Sequence, residues 1–144
     1  PLKGDYLKHD FVRSARFHEV PLVMPETFPV ATQAASRTYY WLHDQDCALA
    51  RRFAHAVYRA YFVDGQDISA PQAVVDLAAG LGVDGPALAA ALQDEAVKAR
   101  LKTETEAAMA RGVFGSPYVI IDGEPFWGMD RLEQIERWLA RGGF

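Results

Sequence analysis

The chain has 144 residues, a formal net charge of −4, half of its residues apolar and 24% charged. That length holds one domain, or one domain and part of another, and the apolar share excludes a disordered polypeptide. The acid excess, with no basic cluster larger than Arg51-Arg52, speaks against a nucleic-acid partner, and no apolar run reaches the roughly 20 residues of a membrane-spanning helix.

Residues 4–18 carry a helical period, with Leu7, Phe11 and Ala15 three or four positions apart. Pro21, Pro25 and Pro29 then turn residues 20–30 into an extended connector. A helix is predicted over 31–43. Asp44-Gln45-Asp46 interrupts it and caps a second helix over 47–62, whose Leu49, Ala50, Phe53, Ala54, Val57, Tyr58 and Tyr61 form a broad apolar face. Asp64-Gly65 reads as a turn, and Ser69 with Gln72 as a capping box opening a helix to Ala79, which Gly80 and Gly82 stop. Asp84 starts a short helix to Leu92. Asp94 caps another over 95–111, with Val97, Leu101, Thr105, Ala108 and Met109 as its expected buried stripe.

After Gly112 the pattern changes. Tyr118-Val119-Ile120-Ile121 reads as a strand, Asp122-Gly123 as a two-residue hairpin turn and Glu124-Pro125-Phe126-Trp127 as the return strand. Gly128 breaks it. Asp130 and Glu133 then open a final helix as a cap pair, with Leu132, Ile135, Trp138 and Leu139 expected inward. The sum is about six or seven helices and one hairpin, an α+β to α/β composition. A lone hairpin is marginal in water, and Val119–Ile121 suits a strand covered on both faces. The chain also opens Pro1-Leu2-Lys3-Gly4, without Met. The expectation is that an N-terminal β-α-β unit of the same sheet lies outside these residues.

Few residues point to chemistry. One cysteine, Cys47, excludes an intrachain disulfide or CxxC pair; it is expected to be an inert, partly buried thiol. His9, His18, His43 and His55 have no metal-ligand spacing, so no metal is expected. The loop Gly112-Val113-Phe114-Gly115-Ser116-Pro117 puts a proline just before a strand, where spacing alone favours a trans bond. The start of the last helix offers unpaired N–H groups to a carboxylate, and Asp130 offers a partner to an ammonium. An α-amino acid group carries both. Asp130 as a plain N-cap explains the same residues.

The loop at 112–117, together with Asp122-Gly123-Glu124-Pro125-Phe126-Trp127-Gly128-Met129-Asp130-Arg131-Leu132, resembles the C-terminal signature of 2-hydroxychromene-2-carboxylate isomerases, relatives of kappa-class glutathione transferases and of DsbA. Pro1-Leu2-Lys3-Gly4-Asp5-Tyr6-Leu7 and Tyr61-Phe62-Val63-Asp64-Gly65-Gln66-Asp67-Ile68-Ser69 resemble two further segments of that family. The resemblance implies a thioredoxin-like domain with an inserted all-helical domain: residues 1–111 the insertion and its connections, residues 112–144 the C-terminal half of the thioredoxin-like domain. It implies a glutathione-dependent isomerase working by reversible thiolate addition, bond rotation and elimination in aromatic-compound catabolism. Its active-site serine falls before Pro1, so no catalytic residue is assigned in this chain. Ser116 and a cis Pro117 match positions beside the cysteinyl part of glutathione, Met129 and Asp130 those holding its γ-glutamyl group, and Lys3 one near its glycyl end. The implied partner is an aromatic or unsaturated-pyruvate small molecule, with a homodimer admitted and a cytoplasmic location. A kappa-type transferase, a DsbA-like thiol oxidoreductase and a non-catalytic thiol-peptide binding module are the alternatives.

Overall fold

In a computed structural model, residues 2–144 are described, with side chains from residue 4 onward. The described residues form two compact units, the first reaching Leu101 and the second Lys102–Phe144. The sequence-based boundary at 111/112 falls ten residues later, near the end of a helix that begins in the first unit.

The first unit is helical: α1 Leu2–Phe17, α2 Gln33–His43, α3 Cys47–Phe62, α4 Pro71–Ala79 and α5 Gly85–Ala91. Its core forms where α2, α3, α4 and α5 converge, around Leu42, Phe53, Val74, Ala78 and Leu88. Phe53, Val74 and Leu88 are shut off from solvent. The predicted caps form at two of these helices. Asp46 accepts hydrogen bonds from the amides of Ala48 (2.8 Å) and Leu49 (3.1 Å), and Asp84 accepts one from Ala87 (3.0 Å). The capping box at 69–72 does not form. Ala70 is the N-cap and Pro71, with its φ already set for a helix, opens α4. Asp67 instead accepts from the Ser69 amide (2.8 Å), and Gln72 donates to Asp76 (2.8 Å). α2 starts two residues later than expected, at Gln33. The connector contains a cis Phe28–Pro29 bond that the sequence did not announce. Tyr58, placed on the apolar face of α3, is 64% exposed. Cys47 is exposed rather than partly buried, because it occupies the first turn of α3 on the solvent side.

Helix α6, Glu95–Ala110, runs from the first unit into the second. Its expected stripe is covered only in part: Val97, Leu101 and Ala108 are half-buried, Thr105 is exposed, no described residue of α6 is fully buried and Met109 is 69% exposed. A helix shared between two units gives no single core a continuous face to cover.

The second unit holds an antiparallel hairpin, β1 Tyr118–Ile121 and β2 Glu124–Trp127, in the register Tyr118↔Trp127 to Ile121↔Glu124. Asp122 and Gly123 both have positive φ, 51° and 88°, as a two-residue type I′ turn requires. All four β1 residues are half-buried, short of the two-sided cover that their apolar run predicts. A 3₁₀ turn, Met129–Arg131, precedes α7, Leu132–Arg141. Ile135 is buried and Trp138 packs edge-on against Phe126, but Leu132 and Leu139 are exposed, against expectation. A two-stranded hairpin is too narrow to cover the whole apolar side of α7.

Candidate functional site

The site is assembled by the hairpin register. β2 pairs with β1 so that Trp127 faces Tyr118, and the Gly128 amide donates to the Pro117 carbonyl at 3.0 Å. That extra rung lays the Ser116-Pro117 dipeptide beside the Gly128-Met129-Asp130 segment. The Ser116–Pro117 bond is cis, as the resemblance implies and against the trans form that spacing favours. Ser116, Pro117, Met129 and Asp130 are all exposed, so the structure brings four of the five expected site residues onto one open edge. The fifth, Lys3, has its side chain outside the described residues.

Two glycines make the edge possible. Gly128 has φ 104° and ψ 152°, a backbone conformation essentially closed to other residues, and a Cβ there would run into the Asp130 carboxylate. At Gly115 a Cβ would collide with the Trp127 indole. Trp127 therefore lies against the loop, edge-on to Phe114 with ring centroids 5.0 Å apart, and Phe114 is edge-on to Tyr118 at 5.3 Å. The sequence marks Gly128 as a strand breaker and turn and Gly115 as part of a Gly-x-x-Gly loop, but shows neither the close approach of Trp127 to Gly115 nor the Phe114–Trp127 pair. The Gly-x-x-Gly spacing of the loop was the available signal for Gly115; the aromatic pairing depends on a cross-strand register that no local pattern shows.

Asp130 is not an N-cap. It sits inside the 3₁₀ turn, and α7 begins two residues later behind Arg131 with no side-chain cap bond. The physical reason is the turn itself: the Arg131 amide donates to the Gly128 carbonyl at 3.3 Å, which orients the segment without help from the carboxylate. Asp130 Oδ2 is 3.7 Å from Arg131 Nη1, with both side chains largely exposed. A pair of that kind is weak and easily exchanged for another cation. The amides of Met129 and Asp130 open the turn and have no acceptor within it. Ser116 lies beyond the last rung of the ladder and is exposed. One edge thus offers extended backbone polar groups, two helix-start amides and an exposed carboxylate. These suit a free α-amino acid group, the amides its carboxylate and Asp130 its ammonium. Among the described residues no group of His, Cys, Asp and Glu is arranged to hold a metal ion. No helix of the described residues is long and apolar enough to cross a membrane.

Known proteins resemble this chain over nearly its whole length. A family model described as a DSBA-like thioredoxin domain matches residues 1–140. A 2-hydroxychromene-2-carboxylate isomerase from Pseudomonas sp. (strain C18) is 33% identical over 144 residues, covering 99% of this chain and 64% of its own length. The chain thus spans a little under two thirds of that relative. Human glutathione S-transferase kappa 1 is 24% identical over 157 residues, covering 97% of the chain and 70% of the transferase. The solved structure of a 2-hydroxychromene-2-carboxylate isomerase superposes with a TM-score of 0.85 at 29% identity, over 97% of this chain and 67% of that one. The cis-proline loop, the hairpin and the helices therefore form part of a thioredoxin-type architecture, and the chain belongs to the DSBA-like thioredoxin domain family.

Proposed function

We propose that these residues form the glutathione-holding part of an isomerase of the 2-hydroxychromene-2-carboxylate type. Residues 1–111 are then its helical insertion and residues 112–144 the C-terminal half of its thioredoxin-like domain. The observation that carries this reading is the Gly128–Pro117 rung, which sets a cis-proline loop beside the start of the last helix. The named isomerases among the relatives support the reaction class, and the kappa transferase supports the thiol.

Asp130 takes the ammonium of the γ-glutamyl group, displacing the weak Arg131 contact, while the Met129 and Asp130 amides take its carboxylate. The Ser116 backbone aligns the cysteinyl residue, and Pro117 keeps that stretch open because it has no N–H to compete. Lys3 is assigned to the glycyl carboxylate from the resemblance alone. Bound glutathione supplies a thiol for reversible addition to a conjugated double bond, which lets the substrate rotate before elimination. The chain's own residues orient and hold the thiol peptide, and none of them is assigned the stabilisation of the thiolate. The substrate class is an aromatic unsaturated pyruvate. The location proposed is the cytoplasm, where thiols stay reduced.

The test is an assay of the complete protein with 2-hydroxychromene-2-carboxylate, with and without reduced glutathione. Interconversion with its open-chain isomer only when the thiol is present supports the proposal. Glutathione binding without turnover of that substrate would leave the thiol-peptide binding module in its place.

A further inference from the structure

A half-open cavity of about 520 Å³ lies wholly within the helical unit, among α2, α3 and the connector that precedes α2. The volume falls in the range of about 300–1,000 Å³ common to small-molecule sites. Its lining is unusual in chemistry. The rings of Phe28, Tyr39, Tyr58 and Phe62 border it, and the small side chains of Ser36 and Ala54 leave the space between α2 and α3 unfilled. Among the described residues, no Asp, Glu, Lys, Arg or His lines it.

The rings are held in place by contacts of their own. Tyr58 stacks on Phe62 at 6.2 Å with an interplanar angle of 13°. Phe28 follows the connector into its cis bond and meets Phe11 edge-on at 5.8 Å. The neighbouring Tyr61 donates its hydroxyl to the Thr27 carbonyl at 2.6 Å, which ties the connector to α3. A preformed space bordered by aromatic rings favours a flat ring that can offer faces and edges to them. With no charged side chain in the described lining, the sign of selection is set: a carboxylate moved into this space loses its hydration and meets no lining cation among the described residues. Ser36 and Thr32, also in the lining, carry hydroxyls that can pair with a hydroxyl of the ligand.

We propose that this cavity is a binding site for an uncharged planar aromatic molecule of one or two rings, such as a phenol or naphthol. It lies in a different unit from the thiol-peptide edge and does not rest on the glutathione reading. The probe is 2-naphthol, with 2-naphthoate as its charged counterpart, titrated calorimetrically into the complete protein with no glutathione present. Saturable binding of 2-naphthol is expected, with 2-naphthoate weaker by at least about tenfold. Ala54→Phe, which fills the space, is expected to weaken 2-naphthol by at least about tenfold while the thermal transition is kept. If that variant does not fold, the backbone amide shifts caused by 2-naphthol in the unaltered protein decide. Shifts centred on residues around Ser36 and Ala54 support the site. No saturable binding, equal affinity for the two probes, full affinity in a folded Ala54→Phe variant, or shifts centred elsewhere would each overturn it.

Discussion

Gly128 and Asp130 form a coupled pair at the site edge. The glycine adopts a conformation that any Cβ would strain, and that Cβ would also push into the carboxylate. Gly128→Ala is expected to cost about 1–3 kcal/mol of stability and to weaken glutathione binding as well. Gly112→Ala is the control. Its φ is also positive, 80°, but a Cβ there meets nothing within 4 Å, so only the backbone strain is felt and the site is spared. Denaturant unfolding and calorimetry on the two variants separate these effects. Asp130→Ala should weaken glutathione binding by roughly 1–3 kcal/mol, the scale of a lost charged hydrogen bond; an unchanged dissociation constant removes Asp130 from the site. Away from the site, Thr38 is fully buried with no hydrogen-bond partner for its hydroxyl among the described residues. Thr38→Val keeps the shape and discards an unsatisfied group, so stability should rise by roughly 1 kcal/mol, read as a higher melting temperature. Residue identity made Asp130 visible as a candidate for ligand or cap, and local spacing could not choose. The choice came from the 3₁₀ turn, which depends on Gly128 accepting from Arg131.

Elements were legible where a side chain acts on its own neighbours. Asp46 and Asp84 cap α3 and α5 as the sequence implies, and Asp122-Gly123 makes the hairpin turn. At α4 the reading failed, because Pro71 and the Asp67–Ser69 bond settled the helix start before a Ser69 cap could form. The apolar stripes of α6 and α7 are met only in part, for a different cause. Periodicity states which face could be buried, and only tertiary structure states whether a partner exists, as exposed Met109 and Leu139 show. A long-range pair was equally invisible. Arg100 of α6 donates to Asp44, in the turn between α2 and α3, through Nε and Nη2, both at 3.3 Å, across 56 positions of sequence. The Arg100 hydrogen bond holds the Asp44 carboxyl below its ordinary range, aided by the Arg100 charge and, more weakly, by His43. A carboxylate depressed in the folded state stabilises fully above its unfolded pKa and loses that contribution as the pH falls through the folded one. Acid should therefore destabilise the protein partly through Asp44. In Arg100→Ala that share of the acid limb should flatten, measured as melting temperature against pH below about 4.

At the scale of the molecule, the fold class was reachable from sequence because three separated segments, at 1–7, 61–69 and 112–132, match one family in order, and the superposition at TM-score 0.85 agrees. The arrangement of the edge was not reachable from composition or periodicity, which stop at a mostly helical chain with a hairpin. It depends on one register, Tyr118 opposite Trp127, and on the cis form of the bond before β1. The second cis bond, at Phe28–Pro29, had no sequence signal at all, since a proline's context rarely fixes its isomer. What the whole protein does follows from whether the edge receives the tripeptide. The decisive measurement is a titration of reduced glutathione into isotope-labelled complete protein, following backbone amides. Saturable shifts concentrated at Ser116, Gly128, Met129 and Asp130 are expected; saturation with those amides unmoved, or no response at any concentration, would show that the edge does not hold glutathione.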